Sequence, residues 1–143
     1  MDEAETWERL CELLDDDELL WPEVRTALTD GDDPWEALLD GLDDSGALAY
    51  LDEGDTGMEL TDALVQLPRV FRLKPDLDEV TDTDDLDAAM RLADEVLAAV
   101  GHRLLRLDEP DSDAHALVVV PAGALPEIER LAAGLRRRVV PVR

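Results

Sequence analysis

The chain has 143 residues, and its 37 acidic and 13 basic side chains give a formal net charge of −24 at pH 7. Such an excess of acid argues against binding to nucleic acid or to anionic lipid, since phosphate groups attract clustered lysine and arginine. Hydrophobic residues make up 45% of the chain, which is enough to bury a core and argues against a disordered protein.

Residues 1–67 are predicted to form an acidic helical section. Apolar residues at helical spacing predict a first helix around residues 7–14 and a second over residues 18–29. Asp33 and Pro34 are typical of a helix start, because the carboxylate accepts hydrogen bonds from free backbone N–H groups and proline has no N–H to leave unpaired. A third helix is therefore expected to begin there.

The end of this section is predicted to contain a short strand and a fourth helix. Residues 47–51 are predicted as the strand. Thr56 and Glu59 fit a capping box, in which each side chain bonds the backbone N–H of the other residue. The helix that they open is expected to end before Pro68, because proline does not continue a helix.

Residues 68–143 are predicted to form an α+β section with an antiparallel sheet. Strands are predicted over residues 70–73, 103–107, 115–120 and 138–142, and helices over residues 84–100 and 125–134. The order is β-α-β-β-α-β, which is that of a ferredoxin-like unit. We expect the acidic helical section to pack on this unit within one compact globule, which makes the whole chain an α+β protein.

A ferredoxin-like unit leaves one face of its sheet open, because both of its helices lie on the other face. Arg72 and Arg106 are expected to point outward from their strands. Either the acidic helices pack near these arginines and cover the open face, or a second copy of the chain or another partner binds there. The protein is accordingly expected to be a monomer or a structural homodimer.

The sequence offers little for catalysis. Cys11 is the sole cysteine and lies on the apolar stripe of the first helix, so a buried, inert thiol is expected. No nucleophilic serine turn and no glycine-rich phosphate loop are found, so no cofactor is expected and the protein is predicted not to be an enzyme. The absence of an apolar leader or of a long apolar run predicts a cytoplasmic protein.

The turn predicted at residues 108–114 is an alternative candidate site. Carboxylates beside a histidine are able to bind a divalent cation or to move a proton, as in a small-ligand or metal-dependent enzyme. The residues concerned are Asp108, Asp111, Asp113 and His115. An ordinary turn explains the same sequence, because Asp and Ser side chains bond neighbouring backbone groups.

The acidic side chains are concentrated towards the N-terminus. Residues 1–65 carry 22 acidic side chains against Arg9 and Arg25, a net of −20, whereas residues 101–143 carry a net of +1. Solubility, salt adaptation, ion pairs within the molecule and a basic protein partner are each consistent with this pattern. The favoured interpretation is a non-catalytic binding module, of the immunity-protein, inhibitor or regulator type, that captures a basic protein. Its expected contact residues are Asp15, Asp16, Asp17, Asp32, Asp33, Asp43 and Asp44.

Two stretches carry a family resemblance. Residues 104–121 contain Leu-x-Leu-Asp, then Asp-Ser-Asp, then a Leu-Val run that ends in proline, and a helix is predicted over residues 125–135. Together with the acidic, tryptophan-containing start, this pattern resembles an uncharacterised family of small acidic bacterial proteins, which implies no particular activity. In element order and acidity, residues 84–142 are also similar to the regulator of ribonuclease activity B, which implies a ferredoxin-like fold and binding to a nuclease.

Overall fold

The structure is a computed structural model that describes residues 2–16, 18–108 and 114–142. In chain order its elements are α1 (Glu3–Leu14), α2 (Leu20–Asp30), α3 (Pro34–Asp44), β1 (Ala49–Leu51), α4 (Gly57–Leu64), α5 (Pro68–Leu73), α6 (Asp78–Thr81), α7 (Leu86–Ala99), β2 (His102–Leu107), β3 (His115–Pro121), α8 (Leu125–Gly134) and β4 (Val139–Pro141). The protein is therefore α+β, as predicted. None of the helices within these ranges is both long and apolar enough to cross a membrane.

The strands form one antiparallel sheet in the order β1-β3-β2-β4. Strands β2 and β3 pair along their length at its centre. Strand β1 pairs with the outer side of β3, where Tyr50 lies opposite Ala116. Strand β4 pairs with the outer side of β2, where Val140 lies opposite Arg106. The acidic N-terminal section thus contributes an edge strand to the same sheet as the later strands.

Helices cover both faces of this sheet. Successive side chains of a strand point to opposite faces, so the neighbours Leu104 and Leu105 enter different cores. Leu105 packs in a core with α1, α2, α3 and α8. Leu104 packs in a second core with α4, α5, α6 and α7. The molecule consequently has three layers, with the acidic helices α1 to α3 on one outer side.

The predicted ferredoxin-like topology is not confirmed. Residues 70–73, predicted as its first strand, belong to helix α5, which Pro68 opens and Lys74 ends. The fourth strand of the sheet is β1 instead, and it runs antiparallel to β3. The expectation of an open sheet face is wrong, because helices pack on both faces. The homodimer proposed through that face therefore has no surface there on which to form.

Local helix signals in the N-terminal section are confirmed. The Asp33 carboxylate accepts a hydrogen bond from the Trp35 backbone N–H at 3.0 Å, and Pro34 is the first residue of α3. Thr56 and Glu59 form the capping box of α4. The hydrogen bond that the Thr56 hydroxyl donates lowers the pKa of the Glu59 carboxyl. Such side-chain caps satisfy N–H groups that the first turn of a helix leaves free.

Candidate functional site

Helix α2 lies between two surface grooves lined by carboxylates. It packs against α1 on one side and against α3 on the other. The approach to α3 is close at Gly41, where an added Cβ would lie 2.7 Å from the Leu20 side chain. Beneath the helices, the rings of Trp7 and Trp35 are buried with their centroids 6.3 Å apart. This packing holds the polar sides of three helices next to one another.

The first groove runs between α1 and α2 and has a volume of about 400 Å³. Cys11 and the half-buried Trp21 form its apolar lining. Its carboxylates are Glu8, Glu12, Asp15, Asp16 and Glu18. Glu8 and Glu12, four residues apart, lie on one side of α1, and Asp15 directly follows its last residue. No basic side chain is among the described residues that line this groove.

The second groove runs between α2 and α3 and has a volume of about 430 Å³. Its carboxylates are Glu23, Asp32, Asp33, Glu36 and Asp40. The lining is completed by Thr26, Ala27 and Ala37, and none of the described residues that line this groove is basic. We call the carboxylates of the two grooves together the acidic face.

Asp16 connects the acidic face to the opposite helical layer. Its carboxylate pairs with Arg69 and Arg72 of α5. Arg69 also donates to the backbone oxygens of Leu13, at 3.2 Å, and Val119, at 2.8 Å. The hydrogen bond from Arg69 is the main cause that lowers the pKa of Asp16 to about 2. The acidic section therefore meets Arg72, although this arginine lies on a helix and not on a strand.

The other predicted arginine contact is not seen. Arg106 lies half-buried on β2 and pairs with no carboxylate of the described residues. The arginine that meets the second groove is Arg137, which donates to Asp33 at 2.7 Å. Asp33 thus both caps α3 and pairs with the C-terminal section.

The remaining predicted contact residues fall at two ends of α3. Asp15 accepts a hydrogen bond from the Ser45 hydroxyl at 2.9 Å, which joins the end of α1 to the end of α3. The exposed Asp43 and Asp44 lie at that end. The exposed Asp32 precedes the opposite end, about 15 Å away for a helix of this length. The structure thus divides the predicted set into two groups, and Asp17 lies outside the described residues.

Comparison with known proteins places the whole globule in one family. Residues 4–142 match the family described as a domain of unknown function, DUF6630. The chain belongs to DUF6630. This agrees with the expected membership of an uncharacterised family. No curated protein and no solved structure matches the chain.

The alternative site of this DUF6630 chain is only partly within the described residues. Asp108 is exposed at the end of β2, where its backbone oxygen accepts a hydrogen bond from Trp35 Nε1 at 2.7 Å. His115 begins β3, and its buried Nδ1 has no hydrogen-bond partner among the described residues. Asp111 and Asp113 lie outside the described residues, so a ligand site at this turn stays a prediction.

Metal binding and thiol chemistry find no support in the part of the chain that the structure describes. Within it, no three His, Cys, Asp or Glu side chains are grouped to hold a metal ion. Cys11 is buried on α1, and burial raises the pKa of its thiol to about 12. A thiol in that state is a poor nucleophile at neutral pH.

Part of the acidic face lies outside the runs of neighbouring aspartates from which the contact residues were predicted. The lining residues that this prediction did not include are Glu8, Glu12, Glu18, Glu23, Glu36 and Asp40. A usable signal was present, since Glu8 with Glu12 and Glu36 with Asp40 recur at four-residue helical spacing. The sequence alone did not show that α2 would bring the two helices carrying these pairs together.

Proposed function

We propose that this chain is a non-catalytic binding protein that captures a basic segment of another protein on the acidic face. The observation that carries the proposal is the pair of grooves on either side of α2. Three of their carboxylates, Glu12, Asp16 and Asp33, pair with arginines, and the other seven form no ion pair within the described residues. A surface of one charge sign speeds the encounter with an oppositely charged partner and orients it.

The positions of the acidic residues support a role beyond solubility. The C-terminal end of a helix carries a partial negative charge, so a carboxylate there costs about 0.3–1 kcal/mol. Helix α2 nevertheless ends in Asp30 and α3 ends in Asp43 and Asp44, and neither last turn contains a base. These three carboxylates lie at helix ends outside the two grooves, and a basic segment that extends past the acidic face would offset their cost.

The apolar residues beside the first groove indicate the kind of segment expected. Leu19 is 67% exposed and lies between Glu18 and Trp21 in sequence. A segment with basic side chains and one apolar side chain would pair with the carboxylates and cover Leu19 and Trp21. Aromatic anchors of this type dominate the energy of many interfaces. A partner of an immunity protein, an inhibitor or a nuclease regulator would fit this description.

The test compares two variants of equal charge in a low-salt pull-down from source lysate. The first variant removes four carboxylates of the acidic face that form no ion pair within the described residues. Its substitutions are Glu8→Gln, Glu18→Gln, Glu36→Gln and Asp40→Asn. The control removes four exposed carboxylates from elsewhere on the chain. Its substitutions are Glu53→Gln, Asp62→Asn, Glu79→Gln and Glu95→Gln.

We expect the unmodified chain and the control to retain one basic protein in stoichiometric amount and to release it as salt rises. The acidic-face variant should lose it, because contact pairs contribute to affinity beyond the effect of net charge. The identified partner is then titrated against all three chains by calorimetry. Equal affinities for the two variants, or retention of a mixture of unrelated cationic proteins by every chain, would overturn the proposal.

A further inference from the structure

A third groove lies between the start of α1 and the end of α8 and differs in charge from the other two. Its volume is about 720 Å³, within the usual range for small-molecule sites. Leu131 and Leu135 supply an apolar floor, and Thr6 and Gly134 complete it. Its charged lining consists of Arg130, Arg136 and Glu3.

Both arginines of this groove lack an ion-pair partner within the described residues. The nearest helical partner for Arg130 is Glu127, three residues earlier. Glu127 is hydrogen-bonded by Arg9 of α1, which donates to its two oxygens at 2.8 Å and 3.1 Å, and Arg130 adds only a smaller electrostatic contribution to the lowered pKa of that carboxyl. In a chain with a net charge of −24, two guanidinium groups that form no ion pair with the described residues thus lie beside one apolar floor.

The backbone at Arg136 adds an independent observation. The Arg137 N–H bonds the Ala132 oxygen at 2.9 Å and the Arg136 N–H bonds the Ala133 oxygen at 3.1 Å, which closes the end of α8. Arg136 lies between these bonds with φ at +60°, in the left-handed region where glycine is usual. This closure of α8 fixes the backbone from which the Arg136 side chain enters the lining of the groove.

We propose that this groove binds a small organic anion, in which a carboxylate or phosphate group is joined to a short apolar chain. The two guanidinium groups bind the oxyanion, since arginine pairs with carboxylate and phosphate through parallel N–H donors. The apolar chain covers Leu131 and Leu135. This site is separate from the acidic face and does not depend on the function proposed for it.

The test is an NMR titration of the full chain with hexanoate and, separately, with hexyl phosphate. A salt concentration of about 0.15 M limits the repulsion from distant carboxylates, while pairs in contact are screened less. We expect at least one of the two probes to shift the amide signals of residues 3–6 and 130–136. Tighter binding of hexanoate would indicate a carboxylate ligand, and tighter binding of hexyl phosphate would indicate a phosphate ligand.

Three variants make the result decisive. Arg130→Gln and Arg136→Gly should each weaken binding by about tenfold or more, since each removes charge-assisted hydrogen bonds. Arg136→Gly should also leave the melting temperature unchanged or higher, because glycine accepts this φ without strain. Arg138→Gln, an exposed control outside the groove, should bind like the unmodified chain.

Four results would overturn the proposal. One is that neither anion shifts the signals of the groove. A second is that Arg136→Gly binds as tightly as the unmodified chain. The third is that hexylammonium binds as tightly as the anions, which would show that the negative charge is not needed. The fourth is that inorganic phosphate binds as tightly, which would show that the apolar chain is not needed.

Discussion

Asp94 is the only charged side chain that the fold buries among the described residues, at 2% exposure. It lies on α7, pairs with Arg103 and accepts a hydrogen bond from the Leu104 backbone N–H at 2.9 Å. A buried carboxylate is stable only when its oxygens are paired in this way. Asp94 thus fixes α7 against the start of β2.

Replacing Asp94 should be the most destabilising change of a charged residue in this chain. Asp94→Ala leaves the Leu104 N–H without its partner and the partly buried Arg103 without its counter-ion, so we expect a loss of about 3 kcal/mol. Urea denaturation monitored by circular dichroism measures it. The control Glu95→Ala, one residue along and exposed, should change stability by less than about 0.5 kcal/mol. Similar losses for both variants would show that the buried pair is not the source of the lost stability.

Gly57 shows how one missing side chain allows two segments to meet. Its N–H bonds the Thr83 oxygen at 2.8 Å. A Cβ at this position would lie 1.8 Å from the Val80 oxygen and 2.5 Å from the Thr83 oxygen. Both oxygens belong to the backbone, so they move only if α6 and the residues that follow it move as well.

We therefore expect Gly57→Ala to destabilise the protein by about 1–3 kcal/mol, as overpacking does. Thermal unfolding followed by calorimetry measures the change. Gly54→Ala is the matched control, because no atom lies within 4 Å of the added methyl group. If Gly57→Ala and Gly54→Ala have the same melting temperature, the close approach of α4 to α6 does not require glycine at position 57.

At the scale of elements, the connection from α1 to α2 is tied to α5 by Asp16 and its two arginines. The pKa of Asp16 falls from 3.8 to about 2 in the folded protein. Because the pKa of Asp16 is lower in the folded than in the unfolded chain, its ionised carboxylate stabilises the fold above pH 3.8. This stabilisation is lost as the pH falls towards 2.

Asp16→Asn should accordingly cost roughly 1 kcal/mol at pH 7, a value reduced for solvent screening because more than half of this side chain is exposed. The difference from the unmodified chain should be about half as large at pH 3. Urea denaturation at both pH values tests this. Asp43→Asn, at the unfavourable end of α3, should instead stabilise slightly. A pH-independent cost at Asp16 would contradict the ion-pair explanation.

The element that sequence reasoning assigned wrongly is α5. Residues 70–73 are a short apolar run without a clear period, and such a run does not distinguish a strand from a helix. The longer elements were predicted well, since α7 and α8 have clear helical periods and β3 is a largely apolar run of strand length. Pro68, which predicts the end of the helix before it, is the first residue of α5.

At the scale of the whole molecule, the net charge of −24 opposes folding by self-repulsion. Added sodium chloride screens repulsion between exposed charges that are more than about 8 Å apart at physiological ionic strength. We expect the melting temperature to rise by a few degrees between low and moderate salt, measured by calorimetry.

The acidic-face variant checks the source of this effect. With four fewer carboxylates, it should melt higher than the unmodified chain at low salt and respond less to added salt. A fall in melting temperature with salt would contradict the prediction, because it would mean that ion pairs such as Arg9 with Glu127 outweigh the repulsion.

The α+β class, most helix positions, their caps and the concentration of acid in the first half of the chain are all readable from the amino-acid sequence. These properties depend on neighbours within a few residues, so periodicity and capping reveal them. Three features are visible only in the folded chain: β1 joins β3, helices cover both sheet faces, and carboxylates from α1 and α3 meet around α2. Contacts such as Arg69 with Val119 join residues far apart in sequence, and no local pattern specifies such a pairing.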